Sequence, residues 1–337
     1  VSSSDTLIAT YPFSDVTAGT LFLRGISLNA LNKFSEARES FNKIVANYKD
    51  SPDYGNARVQ IGFTYYQEEN YETALGYYLG VLDDGLTNID SSQVFFDLIS
   101  IYSELKRFDE ALAAFNNIRF GTTYYAPAFG KVAKVYAARS EFEQGENFLN
   151  EILEKSQQSD EVYYTPDVYF ALADLNITKN DFRTAVNYLT KVVEDTVADQ
   201  SKDILKLQSR YARGILNYQI DNYSGAITDL ELILNDNNFQ SRFEGFVPNA
   251  TEKLALSYSK IGRSEEALQM VNAYREKADT PEEKAKWDYA IVNIYYESGN
   301  YRKAIETAQM LQDIEGVDDE ILLNSIIITS ESYQKLG

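Results

Sequence analysis

Neither cysteine nor histidine occurs among the 337 residues. Disulfides, thiol catalysis, Ser-His-Asp triads and ordinary structural zinc sites are excluded on that ground alone. The lack of cysteine leaves the compartment open, since reducing and oxidising environments both tolerate such chains. Proline, methionine and tryptophan are scarce, at 6, 2 and 1. No apolar run reaches the length of about 18 residues that a membrane-spanning helix needs. Positive charge is in short supply: 31 Lys and Arg stand against 51 Asp and Glu, a formal net charge of −20. The deficit is even, −11 over residues 1–168 and −9 over 169–337. Phosphate affinity requires clustered Lys and Arg, so nucleic acid is not an expected partner.

Motifs of phosphate-binding loops, dinucleotide-binding folds and nucleophile elbows are missing from the sequence. Ser-x-x-Lys occurs, among other places, at Ser40–Lys43, Ser257–Lys260 and Ser332–Lys335, each without the companion motifs that would give it meaning. No EF-hand loop pattern is found, and acidic pairs such as Asp83-Asp84 and Asp318-Asp319 read as solvated helix ends. Sequons begin at Asn176, Asn222 and Asn249. No catalytic set, cofactor or metal is therefore expected.

What the chain does contain is apolar and aromatic material: 44% hydrophobic residues, 26 Tyr and 18 Phe. That is ample for a core. It is organised as a repeat. Phe34-Ser-Glu-Ala37, Tyr71-Glu-Thr-Ala74, Phe108-Asp-Glu-Ala111, Phe142-Glu-Gln-Gly145, Phe182-Arg-Thr-Ala185, Tyr223-Ser-Gly-Ala226, Ser264-Glu-Glu-Ala267 and Tyr301-Arg-Lys-Ala304 follow one another. Their small residues are 37, 37, 34, 40, 41, 41 and 37 apart. Nine positions before the small residue stands Tyr in five copies: Tyr65, Tyr102, Tyr136, Tyr258 and Tyr295. Four positions after it stands an apolar residue, from Phe41 and Tyr78 to Val271 and Ala308. Helical spacing of the apolar positions predicts two amphipathic helices per unit.

This pattern resembles the tetratricopeptide repeat, a helix pair of about 34 residues. The family's small position in the first helix is matched by Gly25, Gly62, Ala133, Ala173, Gly214 and Ala255. Ile99 and Val292 depart from it, and the family's proline survives loosely as Pro52, Pro127 and Pro281. The resemblance implies an all-α fold, a right-handed superhelical solenoid of 17 to 19 helices. Its expected parts are the tail of a preceding repeat over 1–18, eight helix pairs over 19–320, and over 321–337 a first helix of a further repeat or a capping helix. Both ends read as cut. Longer intervals place extra residues around Glu154–Asp167, Glu194–Asp203 and Asn235–Asn249. The last carries Phe239, Phe243 and Phe246, read as a lengthened helix packing on the next repeat, with an exposed contact loop as the alternative.

In this family the first helices line a concave surface. Placed on that pattern, the groove candidates are Phe22, Phe63, Tyr66, Phe96, Phe170, Asp174, Tyr211, Tyr218, Tyr289, Asn293 and Tyr296. An aromatic groove with scattered amides suits an extended or helical segment of another protein. The carboxylate clamp of chaperone-binding members is not matched, because Lys134, Lys260 and Lys286 stand alone. The implied function is a non-catalytic interaction scaffold, with a regulatory or spacer array of a larger enzyme as the alternative. Ala46–Ala57 followed by Ile61-Gly-Phe-Thr-Tyr-Tyr-Gln67 is similar to bacterial envelope repeat proteins, namely the barrel-assembly lipoprotein and the periplasmic Tol–Pal partner. That similarity implies the bacterial periplasm or envelope, with the cytoplasm as the alternative.

Overall fold

In the computed structural model, residues 6, 10, 15–85, 89–158, 164–197, 199–312, 314 and 316–337 are described. Among them every regular element is helical. The expected tail over 1–18 lies outside the described residues, apart from Thr6, Thr10 and the start of the first helix.

Two compact units divide the chain, residues 1–171 and 172–337. The first contains α1 (Asp15–Ala30), α2 (Phe34–Asn47), α3 (Asp53–Gln67), α4 (Tyr71–Asp83), α5 (Ser91–Glu104), α6 (Phe108–Phe115), α7 (Tyr125–Ala138), α8 (Phe142–Gln157) and the start of α9 (Thr165–Thr178). The second contains the rest of α9, then α10 (Phe182–Val193), α11 (Asp203–Gln219), α12 (Tyr223–Leu234), α13 (Asn237–Arg242), α14 (Val247–Lys260), α15 (Ser264–Lys277), α16 (Pro281–Glu297), α17 (Tyr301–Gln312) and α18 (Asp319–Leu336).

Within each unit, sequence neighbours pack in antiparallel pairs, and successive first helices also touch: α1 on α3 and α5 on α7, then α11 on α14, α14 on α16 and α16 on α18. The repeated small residue is what permits the close pair contact. Ala37, Ala74, Ala111, Ala185, Ala226, Ala267 and Ala304 are each 0% exposed, and Gly145 is buried too.

The facing position on the first helix is matched in size. A Cβ on Gly25 would come within 2.5 Å of the Phe41 ring, one on Gly62 within 2.9 Å of Tyr78, and one on Gly214 within 2.8 Å of Leu230. Only glycine leaves room for those side chains. The departure at Val292 is compensated: its counterpart position holds Ala308, and both lie in one core cluster. Large-against-small has simply been inverted there.

All eight turns between paired helices share one geometry. Lys33, Asn70, Arg107, Glu141, Asp181, Asn222, Arg263 and Asn300 donate their N–H to the carbonyls of Leu28, Tyr65, Tyr102, Tyr136, Asn176, Asn217, Tyr258 and Tyr295. The residue before each donor has positive φ: Asn32, Glu69, Lys106, Ser140, Asn180, Asp221, Gly262 and Gly299. This is the Schellman closure, which satisfies the last carbonyls of the first helix. The recurring Tyr of the sequence pattern thus supplies the accepting carbonyl in five of the eight turns.

The extra residues resolve differently from one another. Residues 159–163 are outside the described set. Residues Gln200–Lys202 form a 3-10 turn leading into α11, with Asp199 accepting from Ser201 N–H. The stretch after α12 is not a lengthened helix. Asp236 accepts from the N–H groups of Asn238 and Phe239 and so starts a separate short helix, α13. Phe239 is buried, and its ring meets Tyr211 of the preceding first helix at 5.9 Å. Phe246, in the 3-10 turn Glu244–Phe246, stays 49% exposed.

Candidate protein-interaction face

All eleven groove candidates sit on first helices, and all are half-buried. None is sunk in the core and none stands free, as expected of residues at the edge of a helix contact.

In the first unit, Phe22 on α1 leans edge-on against Phe41 at 5.7 Å. Phe63 and Tyr66 on α3 stack at 6.4 Å with 17° between their planes. Phe96 on α5 packs against Tyr124 at 5.7 Å. Phe170 is half-buried on α9. Phe63 and Tyr66 line a cavity of about 90 Å³ together with Tyr78, Asp97, Ser100, Ile101 and Lys131. Tyr78 donates its hydroxyl to Asp97 Oδ2 at 3.1 Å. Lys131 Nζ donates to Ser100 Oγ and lies 3.8 Å over the Phe96 ring.

Burial pushes the Asp97 carboxyl above its ordinary value, opposed by the Lys131 charge and the Tyr78 hydroxyl. Burial likewise lowers the Lys131 ammonium, opposed by Asp97. The Tyr66 hydroxyl is raised by burial first and by the Glu104 charge second.

In the second unit, Asp174 is half-buried on α9. Tyr211 on α11 donates to Asn249 Oδ1 at 3.0 Å, and its ring meets Phe246 at 5.1 Å. Tyr218 meets Tyr223 edge-on at 5.8 Å, and Lys253 Nζ lies 5.5 Å from its ring. Burial raises the Tyr218 hydroxyl, with the Glu297 charge next. Lys260 and Glu297 pair at 2.7 Å. Tyr289 and Tyr296 pack on the edge of the α16–α18 core. The Asn293 amide donates to the Tyr289 carbonyl of its own helix at 2.9 Å. A hydrogen bond to Glu331 raises the Tyr296 hydroxyl, and burial adds to it.

Within neither unit do all the candidates meet in a single place. Phe63 and Tyr66 share a cavity, whereas Tyr211 is drawn into the α13 aromatic cluster. Of the polar members of the first-unit cavity, Tyr78 was read from the sequence only as a repeat-packing position, and Asp97, Ser100 and Lys131 were not singled out. A signal for Asp97 and Lys131 was present. Asp97 and Lys131 each stand two residues before the small position of consecutive first helices, Ile99 and Ala133, and so occupy one register.

Comparison with known proteins supports the repeat. Two stretches, residues 20–51 and 166–194, match the tetratricopeptide repeat. No curated protein matches the chain. Among solved structures, a signal transduction ATPase with numerous domains from Pyrococcus horikoshii, which has a tetratricopeptide repeat sensor, aligns with TM-score 0.54 and 13% identity, over 97% of this chain and 48% of that one. The apo form of RapI aligns with TM-score 0.51 and 15% identity, over 95% and 98%. At such identities the likeness establishes the fold: an all-helical array of tetratricopeptide type.

Proposed function

We propose that the chain is a non-catalytic interaction scaffold that takes a protein or peptide segment along its first-helix faces. The observation that carries this reading is the setting of the eleven candidates. Aromatic rings and polar groups on six of the first helices are held half-buried, rigid enough to bind at low entropic cost and exposed enough to be touched. The family that the two matched stretches support is commonly used in this way. We further place the protein in bacterial envelope assembly, on the similarity of residues 46–67 to envelope repeats, with the cytoplasm as the alternative. A second reading is that of a regulatory or spacer array within a larger enzyme. Its specific support is the Pyrococcus horikoshii structure, where an array of comparable fold is a sensor in a longer chain.

The test is affinity capture from a cell lysate and from an envelope extract, at low and high salt, with Tyr218→Ala plus Tyr296→Ala as the comparison. We expect at least one specific partner, with retention by the variant about tenfold weaker at unchanged helicity. Loss of the partner at high salt assigns the net charge of −20 a part in recognition. Equal capture by both proteins overturns the first-helix face as the binding surface.

A further inference from the structure

The cavity between α3, α5 and α7 contains more than a scaffold requires. Its aromatic side is the stacked pair Phe63 and Tyr66, with Phe96 under the Lys131 ammonium. Its polar side holds one carboxylate and one ammonium that both line the space. Asp97 accepts from Tyr78 through Oδ2, which leaves Oδ1 as a further acceptor. Lys131 has three N–H donors, of which Ser100 takes one. A volume of about 90 Å³ is too small for a drug-sized ligand. It suffices for a single planar head group, since a water's share of the liquid is only about 30 Å³.

The charges decide what that group is. A cation entering the pocket meets Lys131, and an anion meets Asp97; each gains one contact and suffers one repulsion. A neutral group with a donor on one side and an acceptor on the other satisfies both. We propose that this cavity is a carboxamide-binding pocket, receiving a primary amide such as the side chain of Asn or Gln from a bound segment. The amide N–H₂ donates to Asp97 Oδ1, the amide oxygen accepts from Lys131 Nζ, and the flat group lies against Phe63 and Tyr66. The proposal deepens the scaffold reading, on which it rests for the origin of that side chain, by naming one residue class of the bound segment.

The experiment uses the whole 337-residue chain and three probes that share an isopropyl group: isobutyramide and isobutyrate, alike in shape, and the smaller isopropylammonium. Binding is followed by ¹H–¹⁵N NMR at the backbone amides of Asp97, Ser100 and Lys131. We expect isobutyramide to shift these signals saturably, and the two charged probes to bind about tenfold more weakly. Because loss of binding alone could reflect damage, the variants are chosen to change the preference. Lys131→Met leaves the carboxylate beside aromatic rings, so it should now prefer isopropylammonium. Asp97→Leu should prefer isobutyrate. Tighter binding of either charged probe by the unaltered chain overturns the proposal, as does failure of all three to shift these signals. The probes need no protein partner. Amide binding with no partner capture would sink the scaffold reading alone, and capture without amide binding would sink this one alone.

Discussion

The two units use the same turn and fill it differently. In residues 1–171 the left-handed position is taken by Asn32, Glu69, Lys106 and Ser140, at φ 57°, 60°, 58° and 59°. In residues 172–337 it is taken by Asn180, Asp221, Gly262 and Gly299, at 62°, 62°, 85° and 74°. Asn, Asp and Gly tolerate this conformation, while Glu and Lys are strained in it. A similar contrast recurs beside the first-helix small position. Arg24 donates to the neutral Ser40 at 2.7 Å. Arg213, in the same register, grips Asp229 through two nitrogens at 2.6 and 2.7 Å, with Asp229 almost fully buried. The repeat dictates where a side chain lies; the residue there decides how much stability the position contributes. At its four turns the second unit holds the residues better suited to that conformation.

That contrast can be broken most severely at the helix contacts. Ala111→Arg in the first unit and Ala226→Arg in the second each force a long cation into a space with no exposure. Either should cost about 4 kcal/mol or more. Circular dichroism melts that match the unaltered chain would show that these contacts are not the ones closing the pair. A sharper comparison is Asp229→Ala against Ser40→Ala. The first strands the Arg213 guanidinium and should cost about 3 kcal/mol, whereas the second removes a hydroxyl partner for about 1 kcal/mol. Urea titrations giving equal losses would erase the distinction between the two registers.

The mildest test exchanges turn residues. Left-handed geometry costs an L-residue about 1–2 kcal/mol, set against about 0.5–1 kcal/mol of extra unfolded freedom for glycine. Lys106→Gly should therefore stabilise by about 0.5 kcal/mol, and Gly262→Lys should destabilise by about as much. If both substitutions destabilise in thermal melts, the Lys106 side chain contributes contacts that outweigh its strained backbone.

Much of the array was legible because its determinants are local and periodic. Each Ala at the helix crossing, the apolar residue four positions on and the Tyr nine positions back could be read from spacing alone. The turn conformation was not legible, since Glu69, Lys106 and Ser140 are poor markers of positive φ. The region after α12 was misread because Asp236 looks like any loop acid until its carboxylate is seen capping two N–H groups. At the candidate site, the aromatic residues were readable from register. The charged pair Asp97 and Lys131 shares one register as well, and was missed because a search for clustered like charges passes over opposite charges one repeat apart.

The inverse matching of sizes at Gly25/Phe41, Gly62/Tyr78, Gly214/Leu230 and Val292/Ala308 has a consequence for anyone who would recombine such arrays. The ring of Phe41 belongs with Gly25, and the methyl of Ala308 belongs with Val292. Crossing a first helix from one pair with a second helix from another would mate large with large or small with small. The unit of exchange is therefore the hairpin and not the helix. Grafts should be joined in the segments between hairpins, where the complementary halves stay together.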